Sequence, residues 1–279
     1  MQMPGHAAGF GHQGQVNGHF AREARYWADV YRRDDDVDAV IYQRRLCCVL
    51  DMVDRLGLTG DAPLLEIGSG AGYAAVALAR RGHRVEAVDP VARMVDATRR
   101  HAQRAGVAAS LQCREGDINA LPFADGAFAV VIAMGVLPWL PSIAGPLGEI
   151  RRVLRPGGHA ILTVDNRWGL RQFVEPYTNP LLQPVKVALK ALLRRPPNGR
   201  VLTHSISLNA CHAAVAAAGM ERRAGVTLGF GAFTFLNRRL LPNAIGLPVH
   251  RLLQPLADRN VPILRSLGGQ YVLLAQKPA

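Results

Sequence analysis

Three glycines at alternate positions, Gly68, Gly70 and Gly72, lie in the segment LLEIGSGAGY (64–73), just after an apolar run and an acidic residue, Glu66. Glycine lacks a Cβ and adopts positive φ at little cost, so this stretch of backbone can approach a bulky ligand closely. A carboxylate beside the first glycine disfavours a pyrophosphate and favours a ligand with positive charge. The segment therefore predicts a loop that binds a nucleoside-like cofactor.

The spacing of these glycines departs from the dinucleotide-binding pattern G-x-G-x-x-G/A. Counted from Gly68, the third small residue of that pattern falls at Tyr73. A frame that starts at Gly70 places Ala75 in the third position but begins too late after the strand. An NAD(P)-linked oxidoreductase is therefore kept as the alternative from another enzyme class.

The elements that must position this loop alternate strictly between apolar strands and segments of helical period. The pattern predicts strands at 63–68, 83–89, 109–117, 128–134 and 159–166, a sixth within 220–230 and a last one at 270–278, with helices at 73–82, 92–106 and 146–158. Such alternation indicates an α/β fold, a doubly wound parallel sheet with helices on both faces. Ligands bind these sheets at the carboxyl ends of the strands, where the glycine loop lies.

The glycine loop and its surroundings resemble the class I S-adenosylmethionine-dependent methyltransferases over roughly residues 60–220. The family motif E/D-x-G-x-G-x-G is matched by Glu66, Gly68, Gly70 and Gly72. LRPGG (154–158) before strand five is a further feature, whereas Ala129 stands where the family often has aspartate. The resemblance implies S-adenosyl-L-methionine as cofactor and a mostly parallel seven-stranded sheet with an antiparallel last strand.

The same resemblance implies roles for carboxylates at the ends of the next two strands. Asp89 ends strand two, 21 positions after Gly68, and corresponds to the residue that holds the ribose hydroxyls. Asp117 in GDINALPF corresponds to the residue that bonds the adenine amino group, with Ile118 beside the ring. A helix cap or a solvated loop carboxylate is the structural alternative for both aspartates. The remaining expected cofactor contacts are Ser69, Pro90 and Met134.

The N-terminal region divides into a glycine-rich segment, 1–18, and a helical region, 19–60. We expect a mobile tail for the first, with no secretory signal and no metal site, although it holds histidines. The second is expected to be a helical cap. In many relatives such a cap closes over the cofactor, which implies that Arg44 meets the methionine carboxylate with Tyr26 alongside. A solvated surface position is the alternative for this arginine.

Candidate catalytic residues follow strands four and five. A sulfonium methyl is already activated, so positioning can supply most of the rate and no strong base is obligatory. His204 in THSIS is the candidate base for a hydroxyl acceptor, and Trp139 in GVLPWL lies in the loop that faces the reacting methyl in the family. An ordinary surface or core position for the histidine and simple packing for the tryptophan are the alternatives.

The α/β domain is expected to span 61–279, with lid insertions at about 168–203 and 230–266. In the first insertion, one predicted helical face carries basic side chains and another carries apolar ones, namely Lys186, Lys190, Arg194, Val185, Leu189 and Leu192. The net charge is +12 at pH 7. Basic amphipathic helices attract anionic membranes or simply cover a core, whereas nucleic-acid binding is disfavoured because the basic residues lack interleaved aromatic side chains.

The uncharged stretch 128–148 contains three prolines and predicts a strand plus loop rather than a membrane span. Four cysteines without CxxC spacing indicate a reduced, cytoplasmic protein. We therefore expect a cytoplasmic methyltransferase, peripheral at the inner membrane surface, that modifies O or N of an apolar small-molecule or lipid-like acceptor in natural-product or lipid and quinone biosynthesis. The alternatives are an RNA or protein methyltransferase, an NAD(P)-linked oxidoreductase and a non-catalytic cofactor-binding protein.

Overall fold

A computed structural model describes residues 6–182, 184, 203–236, 238–259 and 261–279. The face of basic and apolar side chains predicted within 185–194 lies outside these residues. The strands are β1 (Pro63–Ile67), β2 (Arg84–Asp89), β3 (Leu111–Glu115), β4 (Phe128–Ala133), β5 (Leu154–Asn166), β6 (Ser205–Ile206), β7 (Glu221–Leu228), β8 (Thr234–Phe235), β9 (Arg238–Arg239) and β10 (Gln270–Gln276).

The central sheet has the order β3-β2-β1-β4-β5-β10-β7, with the short β6 beside β5. Strands β1 to β5 pair in parallel, and β10 runs antiparallel to both of its neighbours, β5 and β7. The separate pair β8 and β9 forms a hairpin. The predicted fold class, a mostly parallel doubly wound sheet with an antiparallel last strand, is confirmed.

The helices flank this sheet and precede it. They are α1 (His6–Arg22), α2 (Ala24–Asp29), α3 (Val37–Asp54), α4 (Tyr73–Arg80), α5 (Ala92–Arg104), α6 (Ala144–Val153), α7 (Leu170–Val174), α8 (Leu208–Ala217), α9 (Asn243–Asp258) and α10 (Leu264–Leu267). Leu64 and Leu65 show how the strands join two cores. Leu64 packs with Val49 of α3 on one face, whereas Leu65 packs with Ile150 of α6 on the other. Successive side chains of a strand point to opposite faces, so a strand covered on both sides must be apolar throughout.

Strand five begins earlier than its pattern predicts. The helix predicted within 146–158 was expected to be stopped by Pro156 and the glycines after it, but α6 ends at Val153, and Leu154 has ψ 133° and pairs with Phe128. The LRPGG segment is therefore part of β5. This part of β5 is irregular: its pairing with β4 shifts register, and Gly157 has a φ of +74°.

The N-terminal segment also departs from its prediction. Residues 1–18 were expected to be a mobile tail, but α1 begins at His6. Tertiary contacts outweigh the low helix propensity of its glycines, because Val16 is 3% exposed and Phe20 packs edge-on against Trp139 at 5.0 Å between ring centroids. The first helix thus lies over the loop that follows β4.

The long uncharged stretch after residue 128 forms β4 and then a short 3₁₀ helix, Leu137–Trp139. Within the described ranges, no helix has both the length and the apolar character needed to cross a bilayer. This agrees with the strand-plus-loop prediction for the stretch.

Candidate cofactor and acceptor site

The glycine loop connects β1 to α4 at the carboxyl edge of the sheet. Gly68, Gly70 and Gly72 have φ values of +67°, +55° and +77°, in the left-handed region that favours glycine. The backbone N–H groups of Gly68 and Ser69 donate to the carbonyl of Val88 at 2.7 and 3.2 Å, which fixes the loop to the end of β2. The sequence thus folds into a rigid turn rather than a mobile one.

The three glycines have different reasons to lack a side chain. A Cβ at Gly68 would lie 2.4 Å from Cγ2 of Val136, and one at Gly72 would lie 2.7 Å from Cγ2 of Thr98. A Cβ at Gly70 would meet no described atom within 4 Å. Packing therefore explains the outer two glycines, whereas Gly70 borders open space in which a ligand can approach the backbone.

Side chains of α5 support the loop from below. Thr98 is fully buried, and its hydroxyl donates to the carbonyl of Gly70 at 2.9 Å and lies 3.3 Å from the hydroxyl of Ser69. Nδ1 of His101 lies 3.0 Å from the carbonyl of Ala71. These supporting residues were not predicted, because a threonine and a histidine within a helix carry no signal of what they contact.

Glu66, at the end of β1, is 1% exposed and lines the cavity in front of the loop. Its Oε2 accepts a hydrogen bond from the backbone N–H of Ala75 in the first turn of α4 at 2.8 Å. Burial raises the pKa of Glu66 to about 8, and the charge of Asp89 adds to this effect. A bound cation would lower this pKa and favour the charged carboxylate, so Glu66 suits a positively charged ligand.

Asp89, at the end of β2, joins the loop to the following turn. Its Oδ2 accepts from the N–H of Gly70 at 2.9 Å and its Oδ1 accepts from the N–H of Val91 at 2.9 Å. Burial raises the pKa of Asp89 to about 6, despite these two hydrogen bonds. A carboxylate offers about four acceptor positions, so two remain for the hydroxyls of a sugar.

A cavity of about 980 Å³ begins at this loop and extends under the N-terminal helices. We name two parts of it. The cofactor end is lined by Glu66, Gly68, Ser69, Gly70, Ala71, Pro90, Met94 and Met134. The acceptor end is lined by Tyr42, Asp165, Arg171, Glu175, Thr203, Ala232, Thr234 and Gln270. Trp139, Arg45 and Tyr26 also line the cavity.

The arginine in the cavity is Arg45, the neighbour of the predicted Arg44. Arg44 points to α9, where its Nη2 donates to Oδ2 of Asp258 at 2.8 Å. Arg45 is 5% exposed, donates from Nη2 to the hydroxyl of Tyr31 at 3.2 Å and stacks over the Tyr42 ring at 4.9 Å. One residue along a helix turns the side chain by about 100°, so the face of α3 that packs against the sheet decides which arginine enters.

The predicted adenine contacts lie beside the cavity rather than in its lining. Asp117 is exposed, and its Oδ1 accepts from the backbone and side-chain N–H groups of Asn119 at 2.9 and 2.8 Å. Ile118 is buried in the core cluster that also contains Val88. Asp117 is thus a solvated loop carboxylate, as in its structural alternative, and the adenine contact stays a prediction.

The two candidate catalytic residues lie in different surroundings. Trp139 lines the cavity and packs against His19 and Phe20 of α1, so it joins the loop after β4 to the N-terminal helix. His204 is exposed, and its backbone N–H donates to the carbonyl of Pro138, while the adjacent Thr203 lines the cavity. The geometry therefore favours Trp139 over His204 for contact with a bound acceptor.

Unpartnered polar atoms concentrate in this cavity. Among the described residues, four buried side-chain N or O atoms lack a hydrogen-bond partner, and three of them belong to cavity residues: Nε1 of Trp27, Nε of Arg45 and Oε1 of Gln270. Buried polar groups are nearly always paired in native proteins. The three atoms, together with the open face of Gly70, fit a cavity whose polar partners belong to bound molecules.

The sheet and the loop together define the class of protein. Dinucleotide-binding sheets of the doubly wound type have six parallel strands in the order 3-2-1-4-5-6. Here β10 is inserted antiparallel between β5 and β7, and Glu66 precedes an E-x-G-x-G-x-G loop. This combination is that of the class I S-adenosylmethionine-dependent methyltransferases.

Comparison with known proteins agrees with this class. Residues 65–162 match the family described as "Methyltransferase domain". Residues 65–162 therefore form a methyltransferase domain of the class I S-adenosylmethionine-dependent kind, and S-adenosylmethionine is the cofactor that its loop fits.

Curated relatives resemble part of the chain. A ubiquinone biosynthesis O-methyltransferase of Methylocella silvestris is 38% identical over 104 residues, which cover 37% of this chain and 40% of the relative. A demethylmenaquinone methyltransferase of Tropheryma whipplei is 30% identical over 164 residues, which cover 58% of this chain and 64% of the relative. The matches thus span less than two thirds of these relatives.

A solved structure matches the whole chain by fold. The 1,6-didemethyltoxoflavin-N1-methyltransferase of Burkholderia thailandensis, solved with 1,6-didemethyltoxoflavin and S-adenosylhomocysteine, superposes with a TM-score of 0.59. Its sequence is 17% identical, and the match covers 100% of this chain and 94% of that chain. At this identity the likeness concerns the fold.

Proposed function

We propose that this protein transfers the methyl group of S-adenosylmethionine to an oxygen or nitrogen atom of a small molecule. The observation that carries this proposal is the continuous cavity, which joins a glycine loop with one open face to a second, separately lined end. Its volume of about 980 Å³ lies at the top of the usual range for ligand pockets. A cavity of that size accommodates a nucleoside cofactor and a small acceptor side by side.

In this proposal the cofactor end holds S-adenosylmethionine through backbone and carboxylate groups. Asp89 accepts hydrogen bonds from the ribose hydroxyls, and Gly70 offers the open backbone against which the nucleoside lies. Glu66 provides negative charge near the amino and sulfonium groups, and Arg45 binds the methionine carboxylate. When bound, the cofactor supplies an electrophilic methyl group, so the protein must mainly align the acceptor and exclude water.

The acceptor end supports a molecule with both apolar and polar parts. Tyr42 and Trp139 supply aromatic walls, whereas Asp165, Arg171 and Gln270 supply polar groups. This lining narrows the expected apolar acceptor to an aromatic or quinone-like ring that carries a hydroxyl or amino group. The two curated relatives, named for ubiquinone and menaquinone chemistry, support the same class of acceptor.

The test is methyl transfer from S-adenosylmethionine labelled in its methyl group to fractionated cell extract. The proposal predicts label in a low-molecular-mass product that extracts into organic solvent. Label retained with RNA or protein would instead support a macromolecular methyltransferase. Binding of S-adenosylhomocysteine with no labelled product in any fraction would support a non-catalytic role and contradict the proposal.

We also propose that an anionic membrane surface meets the mouth of the cavity. The hairpin of β8 and β9 exposes Phe235, Leu236 and Leu240, and Thr234 of the same hairpin lines the cavity. Arg238 and Arg239 lie beside these apolar side chains and are exposed, and Arg239 is also ion-paired with Asp36 and Asp38. Apolar groups flanked by arginine bind anionic lipid headgroups and the adjacent acyl region, and the net charge of +12 favours the approach.

This second proposal is tested by sedimentation with phosphatidylserine vesicles. Leu236→Glu should reduce the bound fraction, because it places a carboxylate in the apolar tip. Ile263→Glu is the matched control, since Leu236 and Ile263 are both exposed and both have positive φ. Equal sedimentation of the two variants, or no sedimentation of the unchanged protein, would contradict membrane contact at the hairpin.

A further inference from the structure

Asp165 places a carboxylate in the acceptor end, close to the end of β5. Thr163 lies on the same face of that strand, since side chains alternate, and its Oγ1 accepts from the N–H of Gly135 at 2.6 Å. Gly135 in turn faces Arg45, because a Cβ at this glycine would lie 3.2 Å from Nη1 of the arginine. Asp165 therefore lies one strand repeat, about 7 Å, beyond the floor of the proposed methionine site.

Gln270 is the cross-strand neighbour of Asp165. The two Cα atoms are direct partners in the antiparallel ladder of β5 and β10, so their side chains share a face. The Gln270 amide lowers the pKa of Asp165 and so favours the carboxylate, whereas its own buried Oε1 has no partner within the described structure. An unpaired carbonyl oxygen at this position lacks a donor, and the N–H or O–H of a bound acceptor would provide one.

The backbone around Asp165 is held firmly. The adjacent Asn166 is fully buried, and its Nδ2 donates to the carbonyls of Ser266 and Gly268 at 2.8 and 2.9 Å. Its own backbone N–H donates to the carbonyl of Gly269. Because these hydrogen bonds fix the end of β5, the Asp165 carboxylate keeps its position when a ligand binds. A group that aligns a nucleophile must be held in this way.

Charged groups from several other elements share the cavity with Asp165. They are Arg22 from α1, Glu23 just after it, Asp38 and Arg45 from α3, Glu66 from β1, Arg171 from α7, and Glu175 just after α7. Burial raises the pKa of Asp165, while Arg171 and Arg45 favour its charged form. A carboxylate whose pKa is moved towards neutrality is a better proton acceptor than a fully solvated one.

We infer that Asp165 and Gln270 bind the nucleophilic O–H or N–H group of the methyl acceptor and that Asp165 takes its proton. This inference rests on the proposed function and deepens it. The acceptor proton passes to the carboxylate, the acceptor lone pair forms the bond to the methyl carbon, and the electrons of the broken carbon–sulfur bond stay on sulfur. The site thus selects hydroxyl or amine acceptors over carbon nucleophiles that carry no acidic O–H or N–H.

The experiment compares Asp165→Asn with the unchanged protein, using methyl-labelled S-adenosylmethionine and the extract fraction that the unchanged protein labels. The variant should transfer methyl about 100-fold more slowly or worse, as expected for loss of a general base. Its affinity for S-adenosylhomocysteine, measured by calorimetry, should be unchanged. Rates from pH 5 to 9, measured at saturating S-adenosylmethionine, should fall at acidic pH for the unchanged protein, and the variant should lack this limb.

Two further variants separate chemistry from folding. Asp54→Asn, at an exposed salt bridge with Arg81, is the matched control and should leave rate and affinity unchanged. Gln270→Leu should raise the acceptor KM about tenfold through loss of one hydrogen bond, with a smaller effect on kcat. It tests the same site if Asp165→Asn fails to fold.

The outcomes distinguish this inference from the proposed function. A product methylated on carbon, or an Asp165→Asn variant with undiminished rate, would overturn the role of Asp165 and leave methyl transfer intact. If the unchanged protein labels no fraction at all, the proposed function itself fails.

Discussion

The two ends of the cavity are built in different ways. At the cofactor end, the groups that face the ligand are mostly backbone atoms and strand-end carboxylates from one continuous stretch, which includes Glu66, Gly70 and Asp89. At the acceptor end, the groups are side chains such as Tyr42, Arg171 and Gln270, which come from distant parts of the chain. The matched methyltransferase domain, 65–162, contains the first end and not the second.

This difference explains which end of the cavity can be inferred from sequence similarity to relatives. A site made by local backbone depends on residue spacing, so relatives with the same spacing share it. A site made by side chains from α3, α7 and β10 depends on how these separate elements pack together. Each of these side chains can change without disturbing the others, so relatives need not share them. We therefore take the cofactor from the family and argue the acceptor class mainly from the cavity lining of this chain.

The largest expected effect separates Arg45 from Arg44. Arg45→Met should weaken S-adenosylhomocysteine binding by about 2–4 kcal/mol, because the methionine carboxylate loses its buried partner. Stability should change little, since an apolar side chain of similar length fills the buried position. Arg44→Met is the matched control and should keep full affinity, because Arg44 pairs with Asp258 at the surface.

Calorimetry on both variants decides between the two arginines. Equal losses for Arg44→Met and Arg45→Met, or no loss for either, would show that the methionine carboxylate is held elsewhere. That result would also remove α3 from the proposed site of the methionine carboxylate.

Asp89 should give the next largest effect. Asp89→Asn is expected to weaken S-adenosylhomocysteine binding by about 1–3 kcal/mol through lost charge-assisted hydrogen bonds. Since burial raises the pKa of Asp89 to about 6 and sugar hydroxyls favour the carboxylate, the affinity of the unchanged protein should fall as pH drops below about 6. A pH-independent affinity between 5 and 8 would remove Asp89 from the site.

Substitutions of Gly72 and Gly70 should affect stability and cofactor binding differently. Gly72→Ala adds a Cβ 3.1 Å from Cα of Thr98 at positive φ, so it should lower the free energy of unfolding by about 1–3 kcal/mol. Gly70→Ala meets no described atom and should cost only about 1 kcal/mol of stability for its φ, while it weakens cofactor binding. Chemical denaturation measures the stability of both variants, and calorimetry measures their cofactor binding. Equal losses of stability together with intact binding in both variants would refute this prediction.

Glu66 should give a smaller, pH-dependent effect. Burial raises its pKa to about 8 from the ordinary 4.5, so the ligand-free fold prefers the protonated form. Its contribution to stability is thus complete below about pH 4.5 and is lost as pH rises through about 8. Glu66→Gln should therefore stabilise the ligand-free protein most at pH 9 and least at pH 5, while weakening cofactor binding. Parallel stability curves for variant and parent would contradict this.

Much of the cofactor end could be predicted from the sequence. Strand patterns and the spacing from Glu66 to Gly72 are local, so the loop and its place at the sheet edge followed from them. The same reasoning assigned all three glycines to the ligand, whereas packing against Val136 and Thr98 explains two of them. The spacing of glycines indicates where no side chain fits, but it does not distinguish contact with a ligand from packing against the protein.

The acceptor end could not be predicted, because its residues meet only in the folded chain. Arg44 and Arg45 are equivalent in the sequence, and only the packing of α3 distinguishes them. Asp165 lies next to the end of its strand, in TVDN, much as Asp89 lies at the end of β2, and this position was the available signal. His204 was favoured for its chemistry alone, and the fold leaves it exposed.

Methyl transfer in this cavity requires a sulfur-linked nucleoside at the cofactor end, and a crystal structure with S-adenosylhomocysteine would test that placement. It should show the ribose hydroxyls within hydrogen-bond distance of Asp89, the ligand against the backbone of Gly70, and free volume continuing towards Asp165. A nucleoside bound at another surface, or a cavity closed by side chains with the ligand absent, would contradict this placement.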